Sequence, residues 1–548
     1  MVLGMSTKSQ RRKALEKLPT DLFGSFKIII SRIRKCANHA KFGLGVLMWL
    51  HFAYRPLKLE ELQHALAVEK GHTEFDVDNI PSQKVLLDSC LGLVVVDEET
   101  STVRFIHYTL EEYFRKYTME EFPNGCSSIA ETCLTYLNFG QVKQHCTTRY
   151  DLSNKANEYA FLNYAALYWG TYVKRQYGCN QTRQYDDDLA KLANIVLDHE
   201  SERPPGAIQA LYSQLREHSA LQPPTQKFSG VHTTVYFGLH EIMGYLCQVG
   251  RDVDLKDDCG RSPLSWAAEG GHEVVMQLLM ERNDVDLNSR DTNGWTPLSW
   301  AAQKGHEAAV RLLIGRSDTD INCKDMDGRT PLSWAAQKGH EAIVQLLIGR
   351  SDIDINCKDK FGLTPLLWAA GGGHEAAVRF LIGRSDIDIN CKDMGGWTPL
   401  SWAAGGGHEA AVRLLIGRSD IDINCKDMDG RTPLLWAVMR EHDAVVRLLI
   451  GRSDVDINCE DMSGQTPYSW VVKERHEAFE RLLIGRSDID TNCKNEIGLT
   501  SLSLAIEEGH EGIVQPLIEQ DDDNIDSGDM SQEAVVRLLP EKFEYWGY

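Results

Sequence analysis

Between residues 325 and 340 the chain runs Asp325-Met326-Asp327-Gly328-Arg329-Thr330-Pro331-Leu332-Ser333-Trp334-Ala335-Ala336-Gln337-Lys338-Gly339-His340, and close copies of this stretch return every 34 positions. Asp325 to Gly328 has turn composition, with Gly328 able to adopt the positive φ that a tight turn needs. Thr330-Pro331 opens a short helix: the Thr hydroxyl can cap free amides, and Pro fits the first helical position, where its missing N–H costs nothing. That helix is expected to end at Lys338-Gly339. A second helix follows, with Ala342, Ile343, Leu346 and Leu347 at helical spacing and Gly349 as its expected stop. Ser351-Asp352-Ile353-Asp354-Ile355-Asn356 then leads to the next turn. Around this unit, Gly260, Gly294, Gly328, Gly362, Gly396, Gly430, Gly464 and Gly498 keep the period, as do Trp266, Trp300, Trp334, Trp368, Trp402, Trp436 and Trp470, with Leu504 in the eighth place. His272, His306, His340, His374, His408, His442, His476 and His510 run in register with them. A period of this length marks a solenoid, in which each unit buries its apolar face only against its neighbours.

The unit resembles the ankyrin repeat, whose pattern is Asp-x-x-Gly-x-Thr-Pro-Leu-x-x-Ala-Ala-x-x-Gly-His followed by a Leu-Leu helix. Seven of the eight units carry the Pro and six the whole Thr-Pro pair. Two departures stand out. The period is one residue longer than the usual 33, placed by pattern in the Gly-Arg-Ser-Asp loop, and the customary His after Thr-Pro-Leu is Ser333 or Leu367, so no Thr–His side-chain bond is expected. Tyr236-Phe237-Gly238-Leu239-His240-Glu241-Ile242 reads as a worn unit before the array. Gln532 to Leu539 reads as a truncated one behind it, and Glu507-Glu508 and Asp521-Asp522-Asp523 as a polar end.

Compared with one another, the units keep their cores and vary beside the turn Gly and before the Gly-His. The resemblance implies that these places line the concave, partner-binding groove. The candidate contact residues at the hairpin tips are Trp295, Asp327, Arg329, Phe361, Leu363, Trp397, Asp429, Arg431, Gln465 and Leu499. At the inner-helix ends they are Gln303, Lys304, Gln337, Lys338, Met439 and Arg440. Trp295, Phe361 and Trp397 beside Arg329 and Arg431 are expected to be exposed, and aromatic and Arg side chains dominate protein interfaces. The bland alternative is that unconstrained surface simply drifts. One His per unit cannot converge on a metal ion at bond lengths near ~2 Å, so the His row is expected to hydrogen-bond near the second helix. The Trp row is expected to pack between inner helices rather than to stack nucleotides. The Asp-Ile-Asp-Ile-Asn segments lack the Gly and bidentate Glu spacing of a calcium loop.

The 548 residues suggest several domains, and a 25% charged, 43% hydrophobic composition is that of ordinary folded protein. A net charge of −21 opposes general binding to nucleic acid or anionic membrane. The basic run Lys8 to Lys17 is short and terminal, and Phe42 to Tyr54 is too short to span a bilayer. Of 14 cysteines, Cys323, Cys357, Cys391, Cys425, Cys459 and Cys493 recur at one repeat position. Equivalent positions in stacked units lie roughly 10 Å apart, beyond bridging distance, so reduced thiols are expected.

Ahead of the array, Leu22 to Cys36, Phe42 to Tyr54, Leu59 to Ala67 and Lys84 to Cys90 read as helices. Leu93 to Asp97 and Thr102 to His107 form a candidate hairpin, and Thr109 to Tyr117 a last helix capped by Thr109. Helices followed by a hairpin is winged-helix order. The segment resembles the winged-helix domain named after GPI inositol-deacylase, common in fungal NACHT–ankyrin proteins. The resemblance rests on Leu18-Pro19, Trp49-Leu50, Arg55-Pro56-Leu57-Lys58-Leu59-Glu60-Glu61-Leu62, Cys90-Leu91-Gly92-Leu93-Val94 and Val103-Arg104-Phe105-Ile106-His107-Tyr108-Thr109. In such proteins a nucleotide-binding NACHT domain precedes it, yet this chain has no Gly-Lys dipeptide and hence no Walker A loop. Nor is there a Gly-x-Ser-x-Gly elbow for deacylase chemistry. In the connector, Ile129 to Phe139, Tyr159 to Lys174, Leu189 to Leu197 and Ala207 to Leu215 are candidate helices.

The expected architecture is therefore mainly α: a tail (1–17), a winged helix (18–118), a helical connector (119–228) and an ankyrin solenoid (229–548). The expected function is non-enzymatic recognition of another protein in the ankyrin groove, within an NLR-like signalling or non-self-recognition receptor. The alternative is a scaffold using the array as a spacer. No cofactor, metal, nucleic acid or membrane insertion is expected, and the expected location is the cytoplasm, with the nucleus open.

Overall fold

The computed structural model of the protein describes residues 22–35, 37–179, 187–197, 204–215 and 227–474, with scattered positions from 476 to 504. The tail 1–17 and the truncated unit at 532–539 lie outside the described residues, as do Ile497, Gly498 and His510. The fold is mainly helical, as expected, and it divides into two compact units, Met1–Asp286 and Leu287–Tyr548.

In the first unit the winged-helix order is present. Helices Leu22–Lys35, Ala37–Phe52, Leu59–Ala67 and Gln83–Ser89 precede strands Val94–Val96 and Val103–Phe105, which pair antiparallel with Val95 opposite Arg104. The Arg55 to Leu62 motif has a physical account. Glu61 accepts from the Lys58 backbone N–H at 2.8 Å and holds the Arg55 guanidinium at 2.8 and 2.6 Å, so one carboxylate both caps a helix and anchors the chain entering it. The last helix differs from the expectation: it spans Tyr108–Glu121, and its cap is the His107 ring, which accepts from Thr109 N–H. Tyr117, the expected end, is a kink within it. Phe23 and Tyr113 pack on the Tyr117 ring at this kink.

The connector helices Gly125–Asn138, Leu162–Cys179, Asp187–Leu197 and Gly206–Leu215 cover the expected positions. Arg149–Glu158 was not expected. Its low apolar content hides it, but Thr148 and Asp151 form a reciprocal capping box at its start. Connector and winged helix share one aromatic core. Trp49 meets Phe161 and Tyr164 edge-on with centroids 5.3 and 6.0 Å apart, and Tyr172 hydrogen-bonds both Tyr164 and the Phe52 carbonyl. The worn unit is present as helices Gly230–Phe237 and His240–Gln248. Phe237 lies flat on Gly170, where a Cβ would stand 2.2 Å from the ring, and against Trp169. That contact explains the Trp169-Gly170 pair, for which sequence alone offered no role.

The second unit repeats one construction, shown by residues 325–359. Thr330 Oγ1 accepts from Ser333 N–H, Pro331 takes the first helical position, and the inner helix Pro331–Lys338 ends at Gly339 with φ 69°. Thr330 pairs with Ser333 through their hydroxyls at 3.1 Å, which replaces the absent Thr–His bond. The outer helix Glu341–Ile348 buries Ile343, Val344, Leu347 and Ile348. Gly349 stops this helix, as expected, though with a φ of −70° and not as a left-handed cap, and the chain leaves through Arg350 N–H to the Leu347 carbonyl.

Among the described residues of the second unit, four rows of hydrogen bonds link successive repeats. At the tips, the residue two before the turn Gly donates to the preceding tip: Met326 N–H to the Asn293 carbonyl and Lys360 N–H to that of Asp327. At the inner-helix ends, the His rings reach the preceding unit, His340 to the Gln303 carbonyl at 3.1 Å and His374 to that of Gln337 at 2.9 Å. Under the outer helices, Arg350 donates to the Ile314 carbonyl at 2.9 Å while its fork grips Asp352. Along the lead-out segments, Asn322 donates to the Asp352 carbonyl and accepts from Asp354 N–H. The Gly-Arg-Ser-Asp loop and the Ile-Asn segment therefore satisfy helix-end and loop backbone groups that would otherwise be orphaned.

Candidate functional site

The varying tip residues are positioned by a carboxylate that seven of the eight units carry, the eighth having Asn495 in its place. Asp325 Oδ1 accepts from the N–H groups of Asp327 and Arg329 at 2.9 and 2.8 Å, closing the turn around Gly328. Its Oδ2 accepts from the Trp334 indole at 2.9 Å. Asp291, Asp359, Asp393, Asp427 and Asp461 hold Trp300, Trp368, Trp402, Trp436 and Trp470 in the same way. Buried yet fully hydrogen-bonded, the carboxylate fixes the hairpin tip and the tryptophan in one geometry.

Between successive tryptophans stands the residue after the turn Gly. Trp295 lies 4.6 Å from Trp300 and 4.4 Å from Trp334, centroid to centroid. The Arg329 guanidinium sits 4.7 Å from Trp334 and 4.5 Å from Trp368. Leu363 is 9% exposed, clusters with Leu367 and Cys391, and packs against Trp368 and Trp402. Trp397 is 5.2 Å from Trp402 and 4.1 Å from Trp436, and Arg431 is 5.0 Å from Trp436. Arg329 and Arg431 also meet carboxylates, Asp359 at 3.7 Å and Asp429 at 3.0 Å. The result is a ladder in which tryptophans alternate with a varying spacer.

This corrects the expectation of exposure. Trp295, Trp397, Arg329, Arg431, Gln465 and Leu499 are half-buried and Leu363 is buried; Trp295, Arg329, Leu363 and Trp397 each lean back into the slot between two indoles rather than out to solvent. Phe361, 53% exposed, is open as expected, and Asp327 and Asp429 are exposed with it. At the inner-helix ends Lys304, Lys338 and Arg440 are exposed, while Gln303, Gln337 and Met439 are half-buried. Lys473 is exposed too, with its ammonium 5.0 Å from the Trp470 ring.

A row that sequence comparison passed over lies at the tips. Met326, Met394, Met428 and Met462, two residues before the turn Gly, are 62–70% exposed. The available signal was chemical, an apolar side chain in a four-residue turn where polar residues are the norm. The Cys row, by contrast, faces inward. Burial pushes the Cys391 thiol up to about 11, and Cys323, Cys357, Cys425 and Cys459 are likewise raised by burial, so these are neutral packing groups. The His row serves the inter-unit bonds described above, the role expected of it. No helix among the described residues is long and apolar enough to cross a membrane.

Residues 30–122 match the family described as GPI inositol-deacylase, winged helix domain. No curated protein matches the chain. Residues 231–325, 313–393, 385–461 and 434–529 match the family described as Ankyrin repeats (3 copies), which covers more than half of the 548 residues. With the Thr-Pro caps, the paired helices and the hydrogen-bonded hairpin tips in place, the chain belongs to the ankyrin repeat family.

Proposed function

We propose that the array recognises another protein through its tips and inner-helix ends, without catalysis, inside the cell in the cytoplasm or nucleus. In this reading the winged helix and connector are the platform of an NLR-like signalling or non-self-recognition receptor. The observation that carries it is the tip row itself. Met326, Phe361, Met394, Met428 and Met462 expose large apolar side chains on a surface whose backbone is fully tied down. Solvent-facing methionines fit adaptable contact with a partner, since thioether chains repack at little cost. Asp327 and Asp429 between them supply polar rim groups.

The test is affinity capture by the full chain beside a Phe361→Asp/Met394→Asp variant. Loss of a partner with unchanged thermal melting supports the reading. Retention of that partner by the variant contradicts it. A spacer or scaffold role is the second reading, favoured by the four inter-unit hydrogen-bond rows, which make a stiff array. It predicts that partners attach through residues 22–215 and ignore tip substitutions.

A further inference from the structure

We infer that Met326, Met394, Met428 and Met462 form an oxidative modification site, at which hydrogen peroxide turns thioethers into sulfoxides and so withdraws the tips from recognition; this rests on the recognition reading above and adds its regulation. Nothing in the fold asks for methionine there. Thr292 and Lys360 hold the same place, two before the turn Gly, in neighbouring units. The backbone makes one bond under either kind of side chain. Lys360 N–H donates to the Asp327 carbonyl at 2.7 Å, and the N–H groups of Met326, Met394, Met428 and Met462 donate to the carbonyls of Asn293, Phe361, Gly395 and Asp429 at 2.8–3.0 Å. A polar side chain is therefore compatible with the turn, and a methionine sulfoxide is one.

The four thioethers are also where an oxidant first meets the array. Peroxide ordinarily takes a thiolate before a thioether, because the thiolate is the stronger nucleophile. In the second unit Cys323, Cys357, Cys391, Cys425 and Cys459 are buried and Cys493 is half-buried. Burial raises all six thiols, Cys391 and Cys493 to about 11, so at neutral pH they stay protonated. A thioether has no proton to lose, and its reactivity follows access. The tip methionines are open to solvent, whereas Met243 and Met276 are fully buried and Met439 is half-buried.

The step balances without a cofactor. A sulfur lone pair attacks one peroxide oxygen, and the S–O bond forms as the O–O bond breaks. The departing hydroxide takes the proton of the transferred hydroxyl and leaves as water; sulfur loses two electrons and the peroxide gains them. Two thiols reverse the change, giving thioether, disulfide and water, as methionine sulfoxide reductases do. Because each tip is tied down by its own backbone, oxidation alters surface chemistry and not fold: a flexible apolar chain becomes a polar one. Met394, Met428 and Met462 stand in consecutive units, so the loss is graded with the number oxidised.

The experiment treats the full-length protein with hydrogen peroxide at neutral pH and maps oxygen uptake by peptide mass spectrometry, with thermal melting in parallel. Binding is read by fluorescence anisotropy with peptides panned from a random phage library on the unoxidised protein. The tip methionines and the exposed Met119 should oxidise ahead of Met243, Met276 and the six thiols, at an unchanged melting temperature. Peptides that need the tips, judged by their loss on Phe361→Asp/Met394→Asp, should bind about tenfold more weakly after oxidation and recover after reductase treatment with dithiothreitol. With all four tip methionines replaced by Leu, and Met119 still oxidisable, affinity should not move with peroxide whatever its starting level. Four outcomes would each overturn this inference and leave the recognition reading standing: thiols or buried methionines oxidising first, a lowered melting temperature, tip-dependent peptides indifferent to oxidation, or a peroxide response in the Leu variant. Selection of no tip-dependent peptide would overturn both.

Discussion

Trp49 and Trp334 are both tied into their units, by opposite means. Trp49 is fully buried in an aromatic cluster found once among the described residues, and its neighbourhood is stitched by bonds such as Tyr172 to Phe52, 120 residues apart. Trp334 sits in a slot built six times in the second unit, held by an aspartate nine residues away, and its unit joins the next through links spanning 30–37 residues. The first arrangement is an all-or-none core, whose contacts close long loops and fail together. The second is a sum of local units and identical interfaces, able to lose one and keep the rest.

Equal damage to the two regions should therefore spread differently. Trp49→Ala removes a large side chain from a closed core and is expected to cost about 3–5 kcal/mol. Amide protection should be lost throughout the winged helix and connector. Leu347→Ala, also fully buried, costs about 2–5 kcal/mol, yet protection should fall only in its own unit and its immediate neighbours. Hydrogen exchange resolved by peptide reads both. Uniform loss across 287–474 in Leu347→Ala would remove the distinction.

The two regions also differed in how much of them could be read from sequence. In the array, the period, the Thr-Pro caps and the left-handed Gly339 follow from composition and spacing alone. The inter-unit bonds do not, because Arg350 and Asn322 act on carbonyls in other units, and nothing local marks those targets. The same blindness produced the error at the tips. The variability of Arg329, Leu363 and Trp397 was legible, but variability looks alike whether a residue faces water or fills a slot between two rings. The methionine row was missed for another reason: Met fills four of the eight places two before the turn Gly, with Asp258, Thr292, Lys360 and Glu496 in the others, so the position reads as an ordinary polar turn residue. In the N-terminal region, element order was legible from patterning, whereas the role of Gly170 waited on Phe237, 67 residues on.

Two chemically identical glycines sharpen the array's side of the comparison. Gly339 has φ 69°, and a Cβ there would meet the His374 ring at 2.5 Å. Gly339→Ala is thus expected to cost about 1–3 kcal/mol and to weaken the His374 link to the preceding unit. Gly349 has ordinary helical φ, and its Cβ would meet only carbonyl oxygens at ordinary contact distance. Gly349→Ala should be neutral or stabilise by about 0.4–1 kcal/mol, by lowering the entropy of the unfolded chain. Urea melts of the two variants decide it, and equal destabilisation would refute the assignment of the two glycines.

Acid should reach the two regions at different pH. Burial lowers the His51 pKa, with Arg175 adding to the effect, and burial lowers that of His64. Their contribution is complete above the unfolded value of 6.5 and is lost as pH falls through the lower folded value. In the array the shifted groups include Asp352, Asp386 and Asp420, lowered by hydrogen bonds from Arg350, Arg384 and Arg418. Their contribution, reduced by solvent screening, holds above 3.8 and disappears only as pH falls below it. Hydrogen exchange at pH 7, 5.5 and 4.5 should show the winged helix and connector opening first. Earlier opening of the array would reverse the ranking.

The smallest effect is expected at a residue that looks most functional. Arg329 lies between Trp334 and Trp368, its Nε is shielded from water without a hydrogen bond, and its nearest carboxylate is 3.7 Å away. That carboxylate, Asp359, is already satisfied by the Phe361 and Leu363 amides and the Trp368 indole. One unit later Leu363 fills the equivalent slot. If the spacer's task is to fill space between rings, Arg329→Leu exchanges a modest cation–π contact for apolar packing and should shift stability by no more than about 0.5–1 kcal/mol. It should also change partner affinity by less than twofold, unlike Phe361→Asp. A loss above about 2 kcal/mol would show that the guanidinium itself is required. A large loss of affinity at unchanged stability would show that partners read the ladder's interior and not only its rim.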